Sequence, residues 1–279
     1  MKNYLKYFPQ IFPVLIIFTV FKSWFLPGLI TAGDFWSYSS SLYQNWTIFQ
    51  YAWSPYLNAG FGGFASPLLW ISFNFSLPIT IFGKYLGVSW ELMERIYYLF
   101  PFLIISFISS AFLFRKLISN NLLYLLSAGI FLFNSYILMV VGGGQIAGIG
   151  IAYALFPLVL YLFLKTEQIF KEKDIFKISL RSLLAGVIFS VQAVFDIRIA
   201  YITITAVFIY WILKLIENNN FKYLIRSFVF LILIPIITFL ALHAFWIIPT
   251  IIIGKNPVES LGSAYSSLDA VRFFSFAKF

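Results

Sequence analysis

Apolar residues run in long unbroken stretches along this chain, and the polar ones gather in short gaps between them. The runs cover roughly residues 8–27, 67–87, 96–114, 121–141, 147–164, 178–195, 199–216 and 226–252. They are continuous rather than alternating, which predicts helices and not strands. About 20 such residues cross the hydrocarbon core as a helix. Within lipid, backbone groups must be satisfied by the segment itself or by a closed barrel. The expected fold class is therefore all-α, a polytopic transmembrane helical bundle forming one domain over residues 1–279.

Two stretches do not fit a simple one-run, one-span count. Residues 178–216 form one hydrophobic stretch, charged at Arg181 and Lys214 near its ends and at Asp196 and Arg198 in its middle, and are too long for a single span. A break at Asp196-Ile197-Arg198 gives two helices joined by a tight turn. The run 67–87 contains Pro67, Asn74, Pro78 and Lys84, and suits a segment lying at the interface or re-entering.

Charge placement decides between seven and eight crossings. Basic residues prefer cytoplasmic loops. With Lys2 and Lys6 inside, eight crossings would put Lys165, Lys171, Lys173, Lys177 and Arg181 outside. If 67–87 does not cross, about seven spans remain and these residues fall inside, with Arg115, Lys116, Lys214, Lys222 and Arg226. Residues 28–95 then form a large first outer loop carrying interfacial helices. The triple glycine Gly142–Gly144, the Asp196–Arg198 turn and residues 253–279 share that outer side.

Composition agrees with this reading. The chain is 61% hydrophobic, 22% aromatic and 10% charged, against about 25% charged in soluble domains. The net charge of +9 is expected to reflect basic loops beside anionic lipid, not nucleic acid. The chain has no cysteine, so nothing points to disulfides or a thiolate metal site. The N-terminal run lacks a small-residue cleavage pattern and reads as a retained signal anchor. The last residues lack a helix stop, so the chain is expected to be the N-terminal portion of a longer one.

Several residues on the outer side are candidates for chemistry. Asp34 is the first acidic residue, and the next is Glu91. Trp36, Tyr38, Tyr43 and Trp46 follow Asp34, and their aromatic faces suit either interfacial anchoring or stacking on sugar rings. Arg198 suits bidentate phosphate recognition, with Asp196 as the group that orients it. Alternatively the two form a turn pair that stabilises only itself. Gln145, after the triple glycine, faces the same outer side, although a glycine-rich hairpin between packed helices accounts for the motif equally. Lys84 and Arg95 flank the 67–87 segment and are candidate phosphate contacts. His243, the only histidine, is expected to pack.

The order of "GDFWSYSSSLYQNW", "WSPYLNAGFGGFASPL", "GGGQIAGIGIAYALFPLVL" and "FDIRIAY" resembles membrane glycosyltransferases of the GT-C class, especially the YfhO-like and arabinofuranosyltransferase-like members. The resemblance implies a seven-helix core in the plasma (inner) membrane with the active site facing outside. It implies a polyprenyl-phosphate-linked sugar donor, a glycan or lipid acceptor, and a role in the cell envelope. It also implies that Asp34 is the catalytic general base or a metal ligand, which leaves a divalent metal ion open as a cofactor. Many relatives carry histidine where Gln145 stands here. The alternative function is a transporter or flippase for a lipid-linked or amphiphilic substrate; a scaffolding membrane subunit would leave the Asp34 loop without a role.

Overall fold

A computed structural model describes Leu15 and residues 17–30, 53–54, 63–64, 81, 83–142, 146–168, 170, 174–218 and 220–253. Among these residues, six helices are long and apolar enough to cross a membrane. The protein is accordingly an all-α polytopic bundle. Besides its helices, the described residues form a two-residue antiparallel pairing of Trp53–Ser54 with Gly63–Phe64.

Helix α1 runs continuously over Trp90–Leu117. Asn120 caps α2, Asn121–Leu132, by accepting from the amides of Leu122 and Leu123. Helices α3, Ser135–Gly142, and α4, Ile151–Gln168, follow. Helix α5 covers Ile175–Phe195 and begins at Asp174, whose carboxylate accepts from Lys177 N–H. That backbone bond holds the Asp174 carboxyl below its ordinary range. Helix α6 covers Ile197–Asn218. Helix α7 comprises Phe221–Ser227 and Ile234–Ile253, joined by the π-helical turn Phe228–Leu233. Six of the expected spans thus have helices in place; the first is described only as helix at Leu15 and residues 17–20, leading into a 3₁₀ turn, Lys22–Phe25.

The second span differs from expectation. Instead of one helix over 121–141, the chain breaks at Phe133–Asn134 between α2 and α3. A break in lipid needs its freed backbone groups satisfied from elsewhere in the protein. Asn134 does this by accepting from Ile137 N–H at 3.1 Å and donating to Phe131 O at 2.9 Å. The Tyr153 hydroxyl donates to the same Phe131 carbonyl, with its ring stacked on Phe131 at 4.2 Å.

Two of the π-helical turns precede a proline. The turn Arg95–Leu99 is followed by Pro101, and Phe228–Leu233 by Pro235. A proline ring collides with the carbonyl four residues earlier and removes one hydrogen bond. Those carbonyls belong to Tyr97 and Leu231, inside the widened turns. The helix continues past each proline, as α-helix from Phe100 and from Ile234.

Helix α4 lies at the centre, packed against α1 and α5, while α5 also packs against α7 and α1 against α2. Burial agrees: 61% of the α4 span lies inside the protein, against 17% for α7. Among the described glycines, Gly186 at the α5–α7 contact has the least room. A Cβ on Gly186 would sit 2.8 Å from Thr238 Cβ and 2.9 Å from Pro235 Cα. Close approach through a small residue is the usual device where apolar driving force between helices is absent. Gly186→Ala is expected to destabilise the protein by about 1–3 kcal/mol, the range for overpacking a filled site. Thermal unfolding in detergent reads this directly, and an unchanged midpoint would show that the two helices separate freely.

The helices alternate in direction through short connections. One end, here the basic end, gathers Arg115, Lys116, Lys165, Lys177, Lys214, Lys222 and Arg226. The opposite end carries Arg95 and the Asp196–Arg198 turn.

Candidate functional site at the end opposite the basic cluster

The turn between α5 and α6 is a single residue. Asp196 is extended, with φ −156° and ψ 115°, and its side chain caps α6. One carboxylate oxygen accepts from the amides of Arg198, at 2.8 Å, and Ile199, at 3.2 Å. An acidic N-cap also meets the positive end of the helix dipole. The same carboxylate holds the guanidinium of Arg198, with Nη2 to Oδ2 at 2.6 Å and Nε to both oxygens at 3.2 Å. The carboxylate is buried while the Arg198 side chain is 73% exposed. Asp196 therefore has a structural task and an orienting one together. The separation of the pair by two residues, which in a continuous helix would point them apart, is overcome by the extended turn.

Arg95 has a different position from the one expected. Its Nε donates to Trp24 O at 2.8 Å, and Nη2 donates to Leu26 O and, at 2.9 Å, to Gly28 O. Nη1 donates to Glu91 O and lies 3.5 Å from Glu94 Oε1. All sides of the guanidinium fork are engaged, and the side chain is buried. Its expected contact with a phosphate is therefore corrected: Arg95 is a clamp that binds the chain after the N-terminal helix to the start of α1. Two carboxylates complete the clamp. Glu94, buried, accepts from Ile30 N–H at 2.6 Å, and Glu91 accepts from Gly28 N–H at 3.2 Å.

Lys84 is exposed, in the helical turn ahead of Gly87, which has φ +66°. Asp34, Trp36, Tyr38 and Gln145 lie outside the described residues, as does most of the segment 67–87. The elements leading to them do meet. The turn Arg95–Leu99 packs against the turn Ile146–Gly150, which in turn packs against α5. Phe195 bridges two clusters, one with Ile149, Ala152 and Ile199 and one with Ile30 and Trp90. One end of the bundle thus joins the start of the Asp34 loop, the exit of the glycine motif and the Arg198 turn.

Gln192 was not singled out by the sequence. It is fully buried one turn before Asp196, donates to Ala152 O at 3.0 Å, and has no partner for Oε1 among the described residues. Its signal was a lone amide inside the apolar run "FSVQAVF". His243 is buried as well, with Nε2 3.1 Å from Ser190 O, Nδ1 accepting from Trp246 at 2.8 Å and its ring 4.3 Å from Phe239. Both ring nitrogens are committed to packing. Among the described residues there is no group of three or more His, Cys, Asp or Glu placed to hold a metal ion.

No family model, curated protein or solved structure matches the chain.

Proposed function

We propose that this integral membrane protein is a glycosyltransferase of the plasma membrane, transferring a sugar from a polyprenyl-phosphate donor to an acceptor hydroxyl at its extracytoplasmic face. The observation that carries the reading is Arg198: a guanidinium held by a buried carboxylate, yet exposed at a membrane-boundary turn. Ile202 and Ile209 follow on the same side of α6 and are exposed. A phosphate over an apolar tail is complementary to that face.

In the reaction, the acceptor oxygen attacks the anomeric carbon from the side opposite the phosphate. Asp34 takes the hydroxyl proton as the new C–O bond forms. The bond from the anomeric carbon to the phosphate oxygen breaks, and polyprenyl phosphate leaves with the electron pair. Arg198 stabilises the charge growing on that leaving oxygen. Such preorganised charge is commonly a large share of catalysis, and Asp196 fixes its direction.

Full-length protein supplied with polyprenyl-phosphate-linked sugars and a glycan acceptor tests this. Arg198→Gln is expected to reduce kcat/KM about 10²–10³-fold, as removal of one transition-state donor does. Arg198→Lys keeps the charge but not the fork, and should recover only part. Full transfer by Arg198→Gln would remove Arg198 from the site. Movement of the lipid-linked sugar across the membrane with no glycosidic product would replace the enzyme with a transporter.

A further inference from the structure

At the basic end, Phe112, Arg115, Lys116, Tyr161 and Lys165 line a recess of about 270 Å³ between α1 and α4. Three cations from two helices converge there, and no carboxylate lines the recess. Three other cations at this end have partners. Lys177 pairs with Asp174 at 3.3 Å, Lys214 with Glu217 at 2.6 Å, and Arg226 donates to Phe170 O at 2.6 Å. Among the described residues no carboxylate pairs with Arg115, Lys116 or Lys165. Basic residues near a helix C-terminus favour the dipole, but that effect does not require two helices to aim at one recess.

The recess floor is aromatic. Phe112 and Tyr161 stack with ring centroids 5.7 Å apart, and Lys165 Nζ lies 5.9 Å from the centre of the Tyr161 ring. This holds the Lys165 ammonium against the recess instead of letting it extend into water.

An apolar stripe leads away from it. Ile104, Ile108 and Phe112 recur every four residues along α1 and are 56%, 46% and 48% exposed. From Ile104 to Arg115 the helix rises about 16 Å at 1.5 Å per residue. That is about half of a 30 Å hydrocarbon core, the depth of one leaflet. A cation-lined recess at the head of a leaflet-deep apolar stripe matches a phosphate with an acyl chain below it.

We propose that this recess is a binding site for an anionic phospholipid of the leaflet at the basic end, with the phosphate held by Arg115, Lys116 and Lys165. The acyl chain lies along Ile104, Ile108 and Phe112. A soluble phosphate compound would use the recess but gain nothing from the stripe. The site lies at the end of the bundle away from Arg198 and does not depend on the glycosyltransferase reading.

Native mass spectrometry of the full chain in detergent, titrated with phosphatidylglycerol or phosphatidylcholine, measures the binding. The wild type should retain phosphatidylglycerol preferentially. Arg115→Gln/Lys116→Gln should weaken it about thirtyfold, since each cation near a membrane surface contributes about 1 kcal/mol and a tenfold change is about 1.4 kcal/mol. Lys177→Gln/Lys222→Gln removes the same charge at the same end and should change binding less than about twofold. Phe112→Ala should weaken phosphatidylglycerol binding while leaving the charges in place. Equal weakening by both double variants would show general attraction instead of a site. Glycerol 3-phosphate binding as tightly as the lipid would reassign the recess to a soluble ligand. Unchanged binding by Arg115→Gln/Lys116→Gln would end the proposal. The altered side chains are exposed, so thermal unfolding of the charge variants should match the wild type and exclude loss of fold as the cause.

Discussion

Arg95→Ala is expected to destabilise the protein by about 3–5 kcal/mol, the range for removing one partner from a buried charge pair. Glu94 stays buried, and the carbonyls of Trp24, Leu26 and Gly28 lose the donor they share. Some of those groups will recover water, which places the figure toward the lower end. The lost contacts are concentrated in residues 24–30, so the damage should begin there. Hydrogen exchange is therefore the sharper measurement. The amides of Gly28 and Ile30, bonded to Glu91 and Glu94, should lose protection before those in the middle of α4. Arg95→Lys, with a point charge in place of a fork, should restore part of the stability. If the unfolding midpoint and both amides were unaffected by Arg95→Ala, the clamp would have no mechanical role.

That clamp marks where the sequence was least legible. Arg95 follows two glutamates and sits beside a polar loop, so its pattern reads as a solvated flank. Its burial depends on carbonyls about 70 residues earlier in the chain, and no local periodicity encodes such a pairing. For the same reason the first described span begins at Trp90 instead of near residue 96. The break at Asn134 was hidden because one asparagine in an apolar run is compatible with an unbroken helix. Asn134 satisfies the freed backbone groups together with Tyr153 from α4, a partner 19 residues away. The Asp196–Arg198 turn was legible because residues 182–213 hold only those two charges in 32 positions, which leaves few alternatives. The role of Asp196 as a cap follows from its position before a helix, a local rule. What the sequence conveyed well was thus whatever depends on lipid exclusion. Contacts between distant helices came only with the fold.

Asp34→Ala is expected to lower the rate of sugar transfer about 10²–10⁴-fold, the usual contribution of a positioned general base. The chain leading to Asp34 is fixed at Ile30, whose amide is bound by the buried Glu94. Asp34 follows four positions later, so its Cα can be at most about 14 Å from that of Ile30. Removing the carboxylate while leaving the anchor intact should affect chemistry more than binding. The expected signature is a fall in kcat with little change in donor KM, as for an interaction made only in the transition state. Arg198→Gln should instead weaken donor binding as well, because the phosphate is charged before the bond breaks. Asp34→Asn should resemble Asp34→Ala, since an amide cannot take the proton. Asp34→Glu should retain more activity than either. A pH profile adds an independent arm: kcat of the wild type should fall at low pH as the base becomes protonated, and the residual rate of Asp34→Ala should lack that limb. If Asp34→Ala transferred sugar at the wild-type rate, the base assignment would fail while the Arg198 phosphate site stood. Loss through KM alone would place the carboxylate in substrate binding, where the same residue would serve a transporter equally well.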